Sequence, residues 1–236
     1  MPRIFLTAEW RNLIIVSYHA PAELLAPHLP HGLEPELIDG APTVSLVAFE
    51  FRNTRVFGVP WPGFVNFPEW NLRFYVQSRE PTPRRGVVFI REFVQSRLIA
   101  GIARSLYNEP YAVAPFEHAT RIADGNAASR YSIRVGGSEH TMEATASDRL
   151  TTPAPGSVEN LLKEQTWGFG KRRDGRTLCY EVRHPEWRVY EATHTRVEVD
   201  WALLYGAEWG VMQTVRPFSS MLVEGSRVTV AAAEVL

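Results

Sequence analysis

The chain has 236 residues, with 25 Lys and Arg against 26 Asp and Glu, and a formal charge of −1. That balance leaves no electrostatic footprint for nucleic acid, so no such partner is expected. A single cysteine, Cys179, excludes an intrachain disulfide framework and a cysteine-rich zinc site. No apolar run is long enough to span a bilayer, and Met1-Pro2-Arg3 leads into a strand-like segment rather than a signal peptide. The expectation is a soluble cytoplasmic protein without a membrane partner.

Trp10–Tyr18 is rich in β-branched and apolar residues and predicts a largely buried strand. Ala20-Pro21-Ala22-Glu23 opens a short helix with Leu24, Leu25 and Leu29 on its apolar side, and Pro30 stops it. After the turn Gly40-Ala41-Pro42, Thr43–Phe51 predicts a second strand. Residues 52–68 combine Gly58, Pro60, Pro62, Gly63 and Pro68 with aromatic residues, which predicts an ordered loop rather than a flexible linker.

Glu69–Ser78 predicts a strand with Trp70, Leu72, Phe74 and Val76 on one face and Asn71, Arg73 and Tyr75 on the other. Gly86–Phe93 is a further strand, and Leu98, Ile99, Ile102 and Leu106 recur at helical spacing over 94–106. Residues 111–122, 128–135 and 140–148 predict antiparallel strands joined at Asp124-Gly125-Asn126 and Gly136-Gly137. Thr152–Gly156 is a break, and Ser157 suits the N-cap of the next helix. Asp174-Gly175 predicts a hairpin between 168–171 and 177–182; residues 187–200 are again strand-like, and Gly225–Val230 is the last strand. Together these predict one mainly antiparallel domain over residues 1–236, α+β by class, with a few helices. Its apolar strand edges suit covering in a homo-oligomer.

Dinucleotide, P-loop, zincin and α/β-hydrolase motifs are absent. His28 and His31 flank Pro30, which spoils a shared helical face for a metal, so no metal ligand and no cofactor is expected. Arg84-Arg85 and Lys171-Arg172-Arg173 suit solvated turns. Three charged residues sit inside or beside apolar strands: Arg11, Glu69 and Arg73. A charge there must be paired or must line a cavity. A buried ion pair between Glu69 and one arginine accounts for them without any activity.

The run Trp10-Arg11-Asn12-Leu13-Ile14-Ile15-Val16-Ser17-Tyr18, followed by Leu24–Pro35, resembles the opening of acetoacetate decarboxylase-like proteins. Glu69-x-Asn71-Leu72-Arg73-x-Tyr75-Val76, Pro110-Tyr111, Trp167-Gly168 and His184-Pro185-Glu186-Trp187 extend the likeness along nearly the whole chain. They are most similar to the YqjF-like family of uncharacterised proteins in that superfamily. The resemblance implies a cone-shaped antiparallel β-barrel with peripheral helices, enclosing a pocket for a small organic molecule. It also implies that Arg11 matches the strand-borne arginine of the decarboxylase site and Glu69 its glutamate. Arg104 and Pro110 match the arginine and proline of the lysine-bearing motif, but Ser105 replaces its glutamate and Tyr111 stands in place of the lysine.

Tyrosine cannot form an imine, so Schiff-base decarboxylation is not expected. Of the two lysines, Lys163 lies between Glu159 and Glu164 on a predicted helix and Lys171 lies in a basic turn. Neither is expected to be desolvated. The expected site has Glu69 as general base and Tyr111 as donor to a developing oxyanion. Arg11, Arg73 and Arg104 would hold an organic acid or carbonyl compound for lyase-, isomerase- or hydratase-type turnover. Tyr111 equally suits core packing, and Arg104 a helix C-terminal cation. Trp61, Phe64, Phe67 and Trp70 suit either a pocket wall or plain core. The alternative reading is a non-catalytic module that binds a small ligand or senses it.

Overall fold

The computed structural model describes residues 3–79, 82–101 and 110–236. Its longer strands are β1 (Ile4–His19), β2 (Ala41–Val56), β3 (Phe67–Ser78) and β4 (Arg85–Val94), then β5 (Tyr111–Val113), β6 (Phe116–Ala123), β7 (Asn126–Val135) and β8 (Ser138–Ser147). They continue with β9 (Trp167–Lys171), β10 (Thr177–Arg183), β11 (His194–Glu198) and β12 (Ser219–Ala231). Among the described residues the α-helical stretches are short: α1 (Ala22–Leu25), residues 97–101, α2 (Val158–Lys163) and α3 (Trp201–Tyr205). Among the described residues, no helix is long and apolar enough to cross a membrane.

Hydrogen bonding joins β12, β1, β2, β3, β4, β9 and β10 in that order, and β10 pairs back to β12 through Val182↔Val230 and Arg183↔Thr229. The result is a closed ring of strands. All its pairings are antiparallel except β4–β9, parallel over Trp167–Phe169. A four-stranded sheet, β11-β8-β7-β6, packs against the outside of the ring. The α+β, mainly antiparallel architecture expected from the sequence is therefore present.

Both faces of the ring wall are buried, which explains why its strands show long apolar runs. On β3, Trp70, Leu72, Phe74 and Val76 face outward into a core shared with Tyr131, Met142, Trp201 and Trp209. Trp70 Nε1 donates to Tyr205 Oη at 2.9 Å, satisfying the indole while its ring is buried. The opposite face carries Glu69, Asn71, Arg73 and Tyr75, and it looks into the lumen rather than to solvent. Strand parity placed both sets correctly, and closure of the ring decided which environment each one met.

On β1 the parity breaks. Asn12 has φ +57° and the β1–β2 register shifts between Arg11 and Ile14, so one extra residue is accommodated as a bulge. Leu13 and Ile15 face the lumen. Strict alternation would bring Arg11 in with them, but the bulge turns Trp10 inward and Arg11 outward. Gly225 lies opposite Arg11 at φ +75°, where an added Cβ would run into the Trp10 carbonyl and the Leu13 side chain. Gly225→Ala is expected to cost about 3 kcal/mol through strain and overlap. An unchanged urea midpoint would show that the bulge yields easily.

Several boundaries differ from expectation. β2 runs on to Val56, so the loop is shorter than 52–68. Val94 closes β4, and helical geometry begins only at residues 97–101, where Ser96 Oγ accepts the N–H of Leu98 at 3.2 Å. The remainder of the predicted 94–106 helix lies outside the described residues. The predicted 111–122 strand is split at Ala114-Pro115, because Pro115 has no N–H for the ladder. Within 187–200, only Val189–Tyr190 and His194–Glu198 pair. Asp200 ends the latter by capping α3, its Oδ1 accepting Leu203 N–H at 2.9 Å. Ser157 caps α2 as expected, through Asn160 N–H at 3.3 Å.

Candidate functional site

The lumen holds a cavity of about 170 Å³. Trp10, Leu13, Phe49 and Phe51 supply much of its wall, and Trp61, Phe64 and Phe67 add to it from the loop before β3. Trp61 is 49% exposed, so this loop lies where the cavity meets solvent. Trp70, grouped with these aromatics in the sequence, instead faces the outer core. Most of its polar groups come from β3 and the elements beside it: Glu69, Asn71 and Arg73 from β3, Glu92 from β4, Tyr111 from β5, and Gln165 just after α2, with Thr54 added from β2 and Tyr180 from β10.

Neighbouring strands bring Glu92 opposite both Asn71 and Tyr111. Glu69 is 2% exposed. Its Oε2 accepts from Tyr111 Oη at 2.9 Å and its Oε1 from Asn71 Nδ2 at 3.0 Å. Burial away from water pushes its carboxyl up to about 7, against the pull of those two donors and of the Arg73 charge. A carboxyl that exchanges its proton near neutrality, beside a phenol and an apolar cavity, is suited to general acid–base work.

Arg73 is held by its Nη2, which donates to the Leu162 carbonyl at 3.1 Å. Tyr75 Oη donates to the same carbonyl at 3.2 Å, so the end of α2 acts as an internal anchor for the β3 side chains. Gln165 Nε2 donates back to the Leu161 carbonyl at 2.7 Å.

The structure thus brings Glu69, Tyr111 and Arg73 to one cavity. It keeps Arg11 apart: the Arg11 Nε and Nη2 donate to Glu9 Oε2 at 3.0 and 2.8 Å, the Nη1 to the Gly225 carbonyl, and the side chain is partly exposed. The bulge at Asn12 is the reason. Arg104 and Ser105 lie outside the described residues.

Lys163 is a correction. Far from being solvated, its side chain is 0% exposed, with Nζ 2.6 Å from Glu164 Oε1. Glu164 Oε1 also accepts Trp187 N–H, and the His184 ring stacks on Trp187. Lys163 does not line the cavity.

Glu92 and Gln165 were not anticipated. Glu92 carried a readable signal, a carboxylate within the apolar run Gly86–Phe93. Gln165 carried none, because only the packing of α2 against the ring brings it there. Among the described residues, no group of three or more His, Cys, Asp or Glu is placed to hold a metal ion.

This architecture is shared with solved structures of low sequence identity. The enduracididine biosynthesis enzyme MppR with HEPES bound superposes with a TM-score of 0.69 at 15% identity, covering 100% of this chain and 88% of that one. Acetoacetate decarboxylase from Legionella pneumophila gives 0.68 at 13%, covering 100% and 88%. An acetoacetate decarboxylase-like enzyme from Sphingomonas wittichii RW1 gives 0.65 at 15%, covering 98% and 92%. At such identities the likeness establishes the fold. No curated protein sequence matches the chain. A family match spans residues 7–225, from within β1 to the glycine beside the bulge, and includes every cavity-lining residue except Phe5, Leu6 and Val230. The chain belongs to the DUF2071 family of uncharacterized conserved proteins (COG2071), built on an acetoacetate decarboxylase-like fold.

Proposed function

We propose that the protein binds a small carbonyl compound in the lumen of its ring and moves a proton on it, without a Schiff base. Glu69 serves as the general base, taking a hydrogen from the carbon beside the carbonyl. Tyr111 hydrogen-bonds the developing negative charge, and Arg73 adds positive potential. Lyase-, isomerase- and hydratase-type reactions share such a step. The observation that carries the reading is the buried carboxyl of Glu69, held near neutrality and bonded to Tyr111 on a cavity wall. Tyr111, which the family resemblance aligns with the lysine of the decarboxylase motif, supports a reaction that runs without an amine.

The second reading is a binding module without turnover, favoured by the apolar aromatic wall. The two separate in one experiment. In deuterated buffer, the wild type is expected to exchange the methyl hydrogens of acetophenone and Glu69→Gln is not, as followed by proton NMR. Binding without exchange would leave the module reading in place.

A companion measurement is the carbon-13 titration of the Glu69 carboxyl, with its midpoint expected near 7. Tyr111→Phe removes a donor to the carboxylate and is expected to move that midpoint higher. A midpoint near the ordinary 4.5 would remove the base from the scheme.

A further inference from the structure

Beside Trp10 Nε1 and Thr54 Oγ1 on the β1 and β2 wall, three further polar atoms, on β3 and just after α2, line the cavity with their hydrogen-bonding roles fixed and no partner. Asn71 Nδ2 is committed to Glu69, which orients Oδ1 as an acceptor, and that Oδ1 is buried and unpaired. Gln165 Nε2 is committed to the Leu161 carbonyl, and its Oε1 is likewise buried and unpaired. Arg73 Nη2 is committed to the Leu162 carbonyl, leaving a buried, unpaired Nε–H donor. The three residues are 2%, 8% and 8% exposed, and all line the same cavity. Because each amide nitrogen is already bonded elsewhere, neither amide can flip to exchange its acceptor for a donor.

Two fixed acceptors and one fixed donor describe a complement. We propose that this end of the cavity takes a neutral head group carrying a carbonyl oxygen beside an N–H or O–H, a carboxamide being the simplest, on an apolar body of about one ring. The inference rests on the reading of the cavity as the ligand site. Its carbonyl accepts from Arg73 Nε–H while its N–H groups donate to Asn71 Oδ1 and Gln165 Oε1. A carboxylate offers acceptors only: it meets Arg73 but sets lone pairs against both amide oxygens and lies among Glu69 and Glu92. A ketone meets Arg73 and leaves both amide oxygens unpaired. Unpaired buried groups are what make such sites selective. A ligand that displaces water from polar groups of this kind loses affinity unless it reproduces the bonds that water makes. The volume suits a single ring, since an apolar cavity of about 150 Å³ accepts benzene.

Benzamide, acetophenone and benzoate share one shape and differ in the head. Calorimetric titration of the wild type at pH 7.5 is expected to show benzamide binding at least tenfold more tightly than either of the others. Gln165→Met keeps the volume, removes one acceptor, and is expected to lower the benzamide preference about tenfold while leaving acetophenone within about twofold. The ratios in the wild type decide the matter even where that variant folds poorly. Acetophenone equal to benzamide, or benzoate binding best, overturns the head-group assignment and leaves the cavity as a ligand site. Silence from all three overturns both.

Discussion

Glu69→Gln is expected to be more stable than the wild type at pH 8 and to lose that advantage at pH 5. In the folded protein the Glu69 proton is retained up to about 7, whereas an ordinary carboxyl loses it near 4.5. Between those values the folded state binds more protons than the unfolded state, so stability falls as pH rises and levels off above about 7. The interval corresponds to about 3 kcal/mol for a group as little exposed as Glu69, at 2%. Glutamine does not ionise and escapes this loss. One of its hydrogen bonds is spoiled, since its NH₂ then faces a donor from Asn71 or Tyr111, which offsets about 1 kcal/mol.

A net gain of about 2 kcal/mol at pH 8 corresponds to a Tm higher by about 4 to 8 °C in a chain of this length. Melting curves of both proteins at pH 5 and pH 8 make the test, and parallel pH profiles would mean that Glu69 titrates normally. His184 contributes equally to both proteins. Burial holds its imidazole below the usual range, so its stabilising effect is present at neutral pH and is lost in acid. The same variant is expected to lose acetophenone exchange. Greater stability with lost activity is what a base held in an unfavourable environment should show.

Lys163→Met is expected to cost about 3 kcal/mol of stability, although methionine fills much the same volume. The lysine side chain is wholly buried and its ammonium sits 2.6 Å from Glu164. Removing the cation leaves a carboxylate that is 23% exposed with only part of its partnership, and breaking a buried pair from one side is the costly case. The Trp187 N–H still bonds the remaining Glu164 and limits the damage. Adding Glu164→Gln to Lys163→Met removes the uncompensated charge and is expected to recover at least half of the loss. Urea unfolding of the two single variants and the double variant gives the coupling. A single-variant cost under about 0.5 kcal/mol would mean that water reaches this pair. The effect reaches the cavity, because the residue preceding Lys163 supplies the carbonyl that holds both Arg73 and Tyr75.

Much of the wall was legible in the sequence. The strands at Trp10–Tyr18, Thr43–Phe51, Glu69–Ser78 and Gly86–Phe93 fall within β1 to β4, since their apolar content and alternation are local properties. The spacing of Asn71, Arg73 and Tyr75 placed them on one face for the same reason. Residues 201–214 were harder to read. Their aromatic side chains stack on the outer wall as α3 followed by a 3₁₀ stretch, and its stability comes from that packing more than from local propensity.

The site itself was only half legible. The family resemblance implied a pocket place for Arg11, and a one-residue bulge at an asparagine with positive φ sent it to the surface. Lys163 looked solvated among acidic neighbours, yet it is buried, and its partner Glu164 is bonded in turn by the N–H of Trp187, distant in sequence. By itself the sequence determined which residues share a strand face, because a period of two needs only neighbouring residues. Whether a polar face met water or a closed lumen was decided by the pairing of β10 with β12, a contact between residues almost fifty positions apart. That closure removed Glu69 from solvent, raised its carboxyl toward neutrality and set Asn71, Arg73 and Gln165 around one cavity.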